Sequence, residues 1–166
     1  MIRQATEADI TAVMKIIQET ITEMRSYGNT QWDENYPREE DFLSDIRQGD
    51  LYIIEREEEV AGFACANTVE PNEYNDLPWS RQQPAIVIHR MAVDPSRRRS
   101  GIGTELMKFA EEHALKQQIT YLKTDTYSIN TKMNALFTKC GYKLVGEMHF
   151  RSREKTFYCY DKILSA

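Results

Sequence analysis

The run Val93-Asp94-Pro95-Ser96-Arg97-Arg98-Arg99-Ser100-Gly101-Ile102-Gly103-Thr104 decides how the rest of the chain is read. An apolar segment, 85–93, stops at Asp94-Pro95; three arginines follow, and two alternating glycines open an amphipathic stretch. The first turn of a helix carries unpaired N–H groups and the positive end of the helix dipole, and glycines let a phosphate approach that backbone closely. Arg98 adds a charge-assisted contact to such an anion. Without the glycines, the arginines would read as a solvated loop. The spacing excludes a P-loop, which needs Gly-Lys-Ser/Thr after four residues, and a dinucleotide fingerprint, which needs a third glycine after Gly103.

Working outward, residues 85–93 form an apolar run long enough for a central strand covered on both faces. Ile102, Leu106, Phe109, Ala110 and His113 share one stripe of the helix behind the glycines, which favours a structural role for His113. Upstream, a short strand over 2–5 leads through a Thr6/Asp9 capping pair into a helix whose apolar residues run from Ile10 to Met24. An aperiodic segment, 28–36, precedes a second helix that starts at Pro37 and ends near Gly49. Residues 51–55 and 60–69 read as a hairpin, and 70–84 as a surface loop placed to cover a site. Downstream come a strand over 119–124, a helix from Asn130 to Cys140 stopped by Gly141, and two closing strands over 142–150 and 155–163.

The chain has 166 residues, which suits one domain over 1–166 that buries roughly 70% of its unfolded surface. With 41% hydrophobic and 28% charged residues, it has an ordinary globular composition, so disorder is not expected. No apolar leader or span-length apolar run is present, and the three cysteines are too few and too scattered for a disulfide framework or a metal knuckle. A cytoplasmic protein with no metal and no membrane association is expected. The net charge of −5 argues against nucleic-acid binding and suits a cationic acceptor.

Arg98, Gly101 and Gly103 together resemble the acyl-CoA motif of the GCN5-related N-acetyltransferase (GNAT) superfamily, Gln/Arg-x-x-Gly-x-Gly/Ala between a strand and a helix. The resemblance covers nearly the whole chain. The opening residues 2–10 look like the family's first strand and helix, and Asn130 through Phe137 to Gly141-Tyr142 looks like its Asn-x-x-Ala-x-x-Leu-Tyr-x-x-x-Gly-Phe. It implies an α+β (α/β) fold: a mixed, mostly antiparallel seven-stranded V-shaped sheet flanked by about four helices. It also implies acetyl-CoA as cosubstrate, with Met91, Ala92 and Val93 holding the pantetheine arm. Arg98, Arg99, Ser100, Gly101, Ile102, Gly103 and Thr104 would surround the pyrophosphate. Asn130 would either bond the cofactor or simply cap its helix. A homodimer formed through the final strands is a further option the resemblance leaves open.

The implied reaction is direct attack of an amine on the thioester in a ternary complex. Only about a thousandth of a primary amine is free base at neutral pH, so a general base is useful. His89, two residues before Met91, is the leading candidate, with a core histidine as the competing reading; Glu147 is the second base candidate. Phe137 departs from the family, standing where a tyrosine usually protonates the leaving sulfur, so no general acid is assigned. Trp32, Tyr36 and Tyr158 are the candidate acceptor contacts, although Trp32 also suits plain packing. Two other readings stand beside the acetyltransferase: a non-catalytic acyl-CoA-binding sensor, which Phe137 would fit, and a transferase of longer acyl chains.

Overall fold

The computed structural model describes residues 1–98, 100–150 and 152–165. Its strands are β1 (Ile2–Gln4), β2 (Leu51–Arg56), β3 (Glu59–Asn67), β4 (Ile86–Val93), β5 (Tyr121–Tyr127), β6 (Lys143–Met148) and β7 (Phe157–Ile163). The helices are α1 (Ile10–Ser26), α2 (Glu39–Arg47), α3 (Ile102–Lys116) and α4 (Thr131–Lys139). The strands make one open sheet in the order β1-β2-β3-β4-β5-β7-β6. Every neighbouring pair is antiparallel except β4 with β5.

That exception shapes the molecule. β4 and β5 pair only from Ile86 opposite Leu122 to Ile88 opposite Thr124, and beyond Ile88 the two strands part. On its other side β4 is bulged: Cys65 of β3 faces His89 and Phe63 faces Ala92, so Arg90 and Met91 together oppose Ala64. Arg90 takes φ 26°, outside the ordinary strand region. The extra residue changes which face each side chain joins. Ile86, Ile88, Met91 and Val93 all enter the core under α3 and α4, while Ala92 enters the core under α1 and α2.

Helical periodicity explains the covering layers. Val13, Ile17, Thr20, Ile21 and Met24 form the buried stripe of α1, which packs with Phe42 of α2 against Ile53 and Phe63. Ile102, Leu106, Met107, Ala110 and Ala114 do the same for α3 on the opposite face. Gly62 permits this closeness, because a Cβ there would lie 3.2 Å from the Ile102 side chain of α3 and 2.9 Å from the Ala92 carbonyl oxygen of β4. Asp9 accepts the Thr6 N–H at 2.8 Å, as the capping pair predicts, although a 3-10 turn over Glu7–Asp9 precedes α1.

The stretch between β3 and β4 is a pinned cover over a third apolar cluster. Tyr74 donates to Asp125 at 2.5 Å, and the Ser80 N–H donates to Asp161 at 2.9 Å. Buried Lys123 lies 4.5 Å above the Trp79 ring and 2.8 Å from Glu70. β5 runs to Tyr127, three residues beyond the expected end at Thr124, because Asp125 to Tyr127 continue pairing with β7. Their polar alternation hides a strand whose polar side chains are engaged by the cover and the neighbouring loop. His113 lies within 3.3 Å of the Tyr52 hydroxyl and stacks on Phe109, a structural placement.

Candidate active site

The split between β4 and β5 opens two cavities that share Met91, Asn130 and Met133 as lining residues. The first, about 430 Å³, lies between α1, the arginine turn, α3 and α4. Gly101, at φ 79°, is the residue before α3, and the first amide to bond back along the helix is that of Glu105, 3.0 Å from the Gly101 oxygen. The amides of Ile102, Gly103 and Thr104 are thus the unpaired donors of the first helical turn, and all three residues line the cavity. A Cβ on Gly103 would sit 3.1 Å from Leu136 of α4, so glycine here also sets how closely the two helices approach.

Among the described residues, four cations, Arg97, Arg98, Lys132 and Lys139, line this cavity with one carboxylate, Glu23 of α1. Glu23 takes hydrogen bonds from Arg98 at 2.6 and 3.3 Å and lies 3.1 Å from Lys132. A single carboxylate therefore joins three walls: α1, the arginine turn and α4. Arg97 pairs instead with Glu59 at 3.0 Å, and Ser100 is exposed, its hydroxyl donating to the Arg97 carbonyl. Arg99 lies outside the described residues. The amides and cations suit a polyanionic ligand such as the diphosphate of CoA.

The second cavity, about 390 Å³, lies on the other side of the split. His89 and Arg90, consecutive at the bulge, both line it, with Trp32, Tyr36, Asp45, Asp125 and Phe137. The His89 Nε2 is 2.8 Å from Asn67 Oδ1, and Asn67 in turn donates to Asp50 at 3.0 Å. Arg90 donates through two nitrogens to Asp45, at 2.7 and 2.6 Å, and through a third to the Tyr36 hydroxyl at 3.0 Å. Burial alone would lower the Arg90 pKa; the bonds to Asp45 more than reverse that, so the guanidinium keeps its charge.

Asn130 caps α4, its Oδ1 accepting the Met133 N–H at 3.1 Å, while its amide donates to Gln31 at 2.9 Å. Its side chain therefore sits where both cavities meet. Trp32 is buried against α1 and α2 and still contributes to the cavity wall. Phe137 is buried, edge-on to Tyr160 at 5.3 Å, with no hydroxyl to offer. The Tyr160 hydroxyl donates to Asn134 at 2.6 Å. Two expected residues lie elsewhere. Glu147 is exposed on β6, accepting from Thr156 at 2.6 Å, and Tyr158 sits opposite it on β7; neither lines either cavity. Tyr158 packs against the core under α3 and α4 rather than on a cavity wall.

Glu23, Asp45, Asn67 and Asp50 carry no signal of their own in the sequence, being polar residues on an amphipathic helix face or at element ends. Arg90 carried a signal: two consecutive polar residues, His89-Arg90, inside an otherwise apolar strand are what a bulge produces. Among the described residues no cluster of His, Cys, Asp and Glu is arranged to hold a metal ion, and no helix is long and apolar enough to cross a membrane.

Known proteins show the same architecture. A GNAT-family acetyltransferase of Streptococcus agalactiae superimposes with a TM-score of 0.89 at 23% identity, covering 100% of this chain and 96% of that one. YncA of Salmonella typhimurium, solved with its cofactor acetyl-CoA, gives 0.71 at 15% identity, over 99% and 94% of the two chains. The Xenopus tropicalis protein "Probable N-acetyltransferase 14" is 36% identical over 70 residues, 42% of this chain. That match spans 34% of the Xenopus protein, about a third of its length. The sequence signature described as the acetyltransferase (GNAT) family matches residues 15–142, and with the split sheet and the amide-lined turn it establishes that this chain belongs to that family.

Proposed function

We propose that the protein transfers an acetyl group from acetyl-CoA to an amine by direct attack within a ternary complex. The observation that supports this best is the meeting of two cavities at Met91, Asn130 and Met133, one rimmed by cations and unpaired amides, the other by His89. In this reading the amides of Ile102, Gly103 and Thr104, with Arg98 and Lys132, hold the phosphates of CoA. Met91, Ala92 and Val93, freed from β5 by the split, offer backbone groups to the pantetheine arm. Bound acetyl-CoA supplies the thioester that the amine attacks.

His89 serves as the general base, taking a proton from the acceptor's ammonium at the boundary between the cavities. Asp125 and the aromatic residues Tyr36 and Phe150 of the second cavity suit an acceptor with a cationic amine beside apolar surface. No acid is assigned to the sulfur: a thiol pKa near 8.5 makes thiolate an adequate leaving group near neutrality. The three free cysteines suit work in a reducing compartment such as the cytoplasm.

Calorimetry with acetyl-CoA, followed by thiol release on adding an amine library, tests the proposal. Binding with release supports it. Binding without release across the library would favour a non-catalytic acyl-CoA-binding module, and absence of binding would overturn the assignment of the first cavity.

A further inference from the structure

We infer that Asn67 is a positioning residue for His89: held by Asp50, it fixes the imidazole as the Nε2–H tautomer and leaves the lone pair on Nδ1. Its kinetic consequence rests on the acetyl-transfer reading above; its structural content does not.

The orientation of the Asn67 amide is set by its other contacts. An asparagine oxygen only accepts and its nitrogen only donates. Asn67 Oδ1 takes the Val69 backbone N–H at 3.0 Å, a group that can do nothing but donate. Asn67 Nδ2 donates to Asp50 Oδ2 at 3.0 Å, a carboxylate oxygen that serves as its acceptor. The same nitrogen points at the Cys65 sulfur, 3.8 Å away, where it finds a weak acceptor. Rotating the amide by 180° would set nitrogen against the Val69 N–H and oxygen against the Asp50 carboxylate, two repulsive contacts in place of two hydrogen bonds.

The atom facing His89 Nε2 at 2.8 Å is therefore an oxygen, and the proton between them belongs to the histidine. A neutral imidazole with its proton on Nε2 has its lone pair on Nδ1. Asp50 is itself fixed: its carbonyl accepts the Ala66 N–H at 3.0 Å, and its own N–H donates to the Asp45 carbonyl at 2.9 Å. The chain Asp50–Asn67–His89 thus runs from the end of α2 across β3 to the bulge of β4. In the proton transfer, the ammonium N–H bond breaks and an Nδ1–H bond forms. The amine keeps the electron pair, and the imidazolium charge is shared with Asn67 Oδ1. Among the described residues, other charged groups lining the same cavity are the Arg90–Asp45 pair and Asp125.

The test uses the full-length protein labelled with ¹⁵N-histidine, with His89 assigned from the spectrum of His89→Gln. At a pH where the ring is neutral, a single Nε2–H tautomer with an exchange-protected ring proton is expected. In Asn67→Leu that protection is lost and kcat falls at least tenfold, while acetyl-CoA affinity by calorimetry is unchanged. An Nδ1–H tautomer, or protection that survives in Asn67→Leu, overturns the inference. So does an unaltered kcat in a variant whose ring proton has lost protection. Should Asn67→Leu fail to fold, Asn67→Asp keeps the acceptor and adds a carboxylate beside the ring. The acid limb of kcat/KM must then move to higher pH, and an unmoved limb overturns the positioning role. If no amine is turned over, the spectra alone decide the tautomer, so failure of the acetyl-transfer reading is seen separately.

Discussion

Arg98 donates two hydrogen bonds to Glu23, the shorter at 2.6 Å, and so the residue best placed to meet a phosphate is already held by a carboxylate. The same carboxylate lies 3.1 Å from Lys132, so one acid restrains two of the four cations of that cavity.

Removing this acid should favour the anionic ligand. Glu23→Gln frees Arg98 and Lys132 and deletes one negative charge from the cavity, so acetyl-CoA should bind about tenfold more tightly, about 1.4 kcal/mol. The gain should shrink as salt is raised, because exposed charge interactions are screened. Titration calorimetry at two ionic strengths checks both statements; weaker binding would show that Glu23 aims Arg98 rather than restraining it.

Gly103→Asp should weaken acetyl-CoA binding roughly a hundredfold, about 2.7 kcal/mol, by placing a negative side chain among the amide donors. Gly103→Ala isolates the steric part. Its Cβ would meet the flexible end of Leu136 at 3.1 Å, so that variant should fold and lose only a few-fold in affinity.

His89→Ala should lower kcat/KM about 10²-fold near neutral pH, within the usual range for a positioned base, and progressively less as pH approaches the amine's own pKa. A stopped assay of thiol release across pH gives the profile; a loss of equal size at every pH would mark His89 as a structural residue.

Asp45→Ala should destabilise the fold by about 3–5 kcal/mol, the usual cost of stranding one member of a buried pair. The Arg90 guanidinium has its bonds to Asp45 at 2.6 and 2.7 Å and little access to water, so little solvent replaces the lost partner. Urea unfolding monitored by far-ultraviolet circular dichroism measures the change.

The acid limit of stability should depend on Asp9. Hydrogen bonds from Arg3 hold its carboxyl below the ordinary value despite burial, and the Thr6 N–H helps. A depressed carboxylate contributes its stability above the unfolded pKa, near 3.9, and loses it as pH falls through the folded value. Asp9→Asn should therefore be less stable at neutrality and show a shallower loss of stability below about pH 4. Thermal melts of both proteins from pH 3 to pH 7 make the comparison.

The turn Arg98 to Gly103 is legible because it combines features that rarely coincide: a strand end, a cationic loop and glycines opening a helix. Helix α1 was legible because its buried stripe repeats with the helical period. The acceptor side was not. Asn67 and Asp50 are ordinary polar residues at a strand end and a turn, and only the pairing of β2 with β3 brings them together. Glu147 misled because position along a strand says nothing about which cavity the strand borders. β5 extends past Thr124 because Asp125 to Tyr127 go on pairing with β7, while Tyr74 donates to Asp125 and Thr126 donates to Gln31, contacts between segments far apart in the chain.

The bulge at Arg90 and Met91 divides β4 into two parts that can vary separately. Ile88, His89 and Arg90 line the second cavity and Ala92 and Val93 the first, with Met91 alone of the strand bordering both. On the proposed acetyl-transfer reading, a lineage of such proteins could exchange one amine for another by altering His89, Arg90 and their partners while the grip on the acyl donor stays as it was. The side chain at Met91 is the position where a change of acceptor would be felt by the donor.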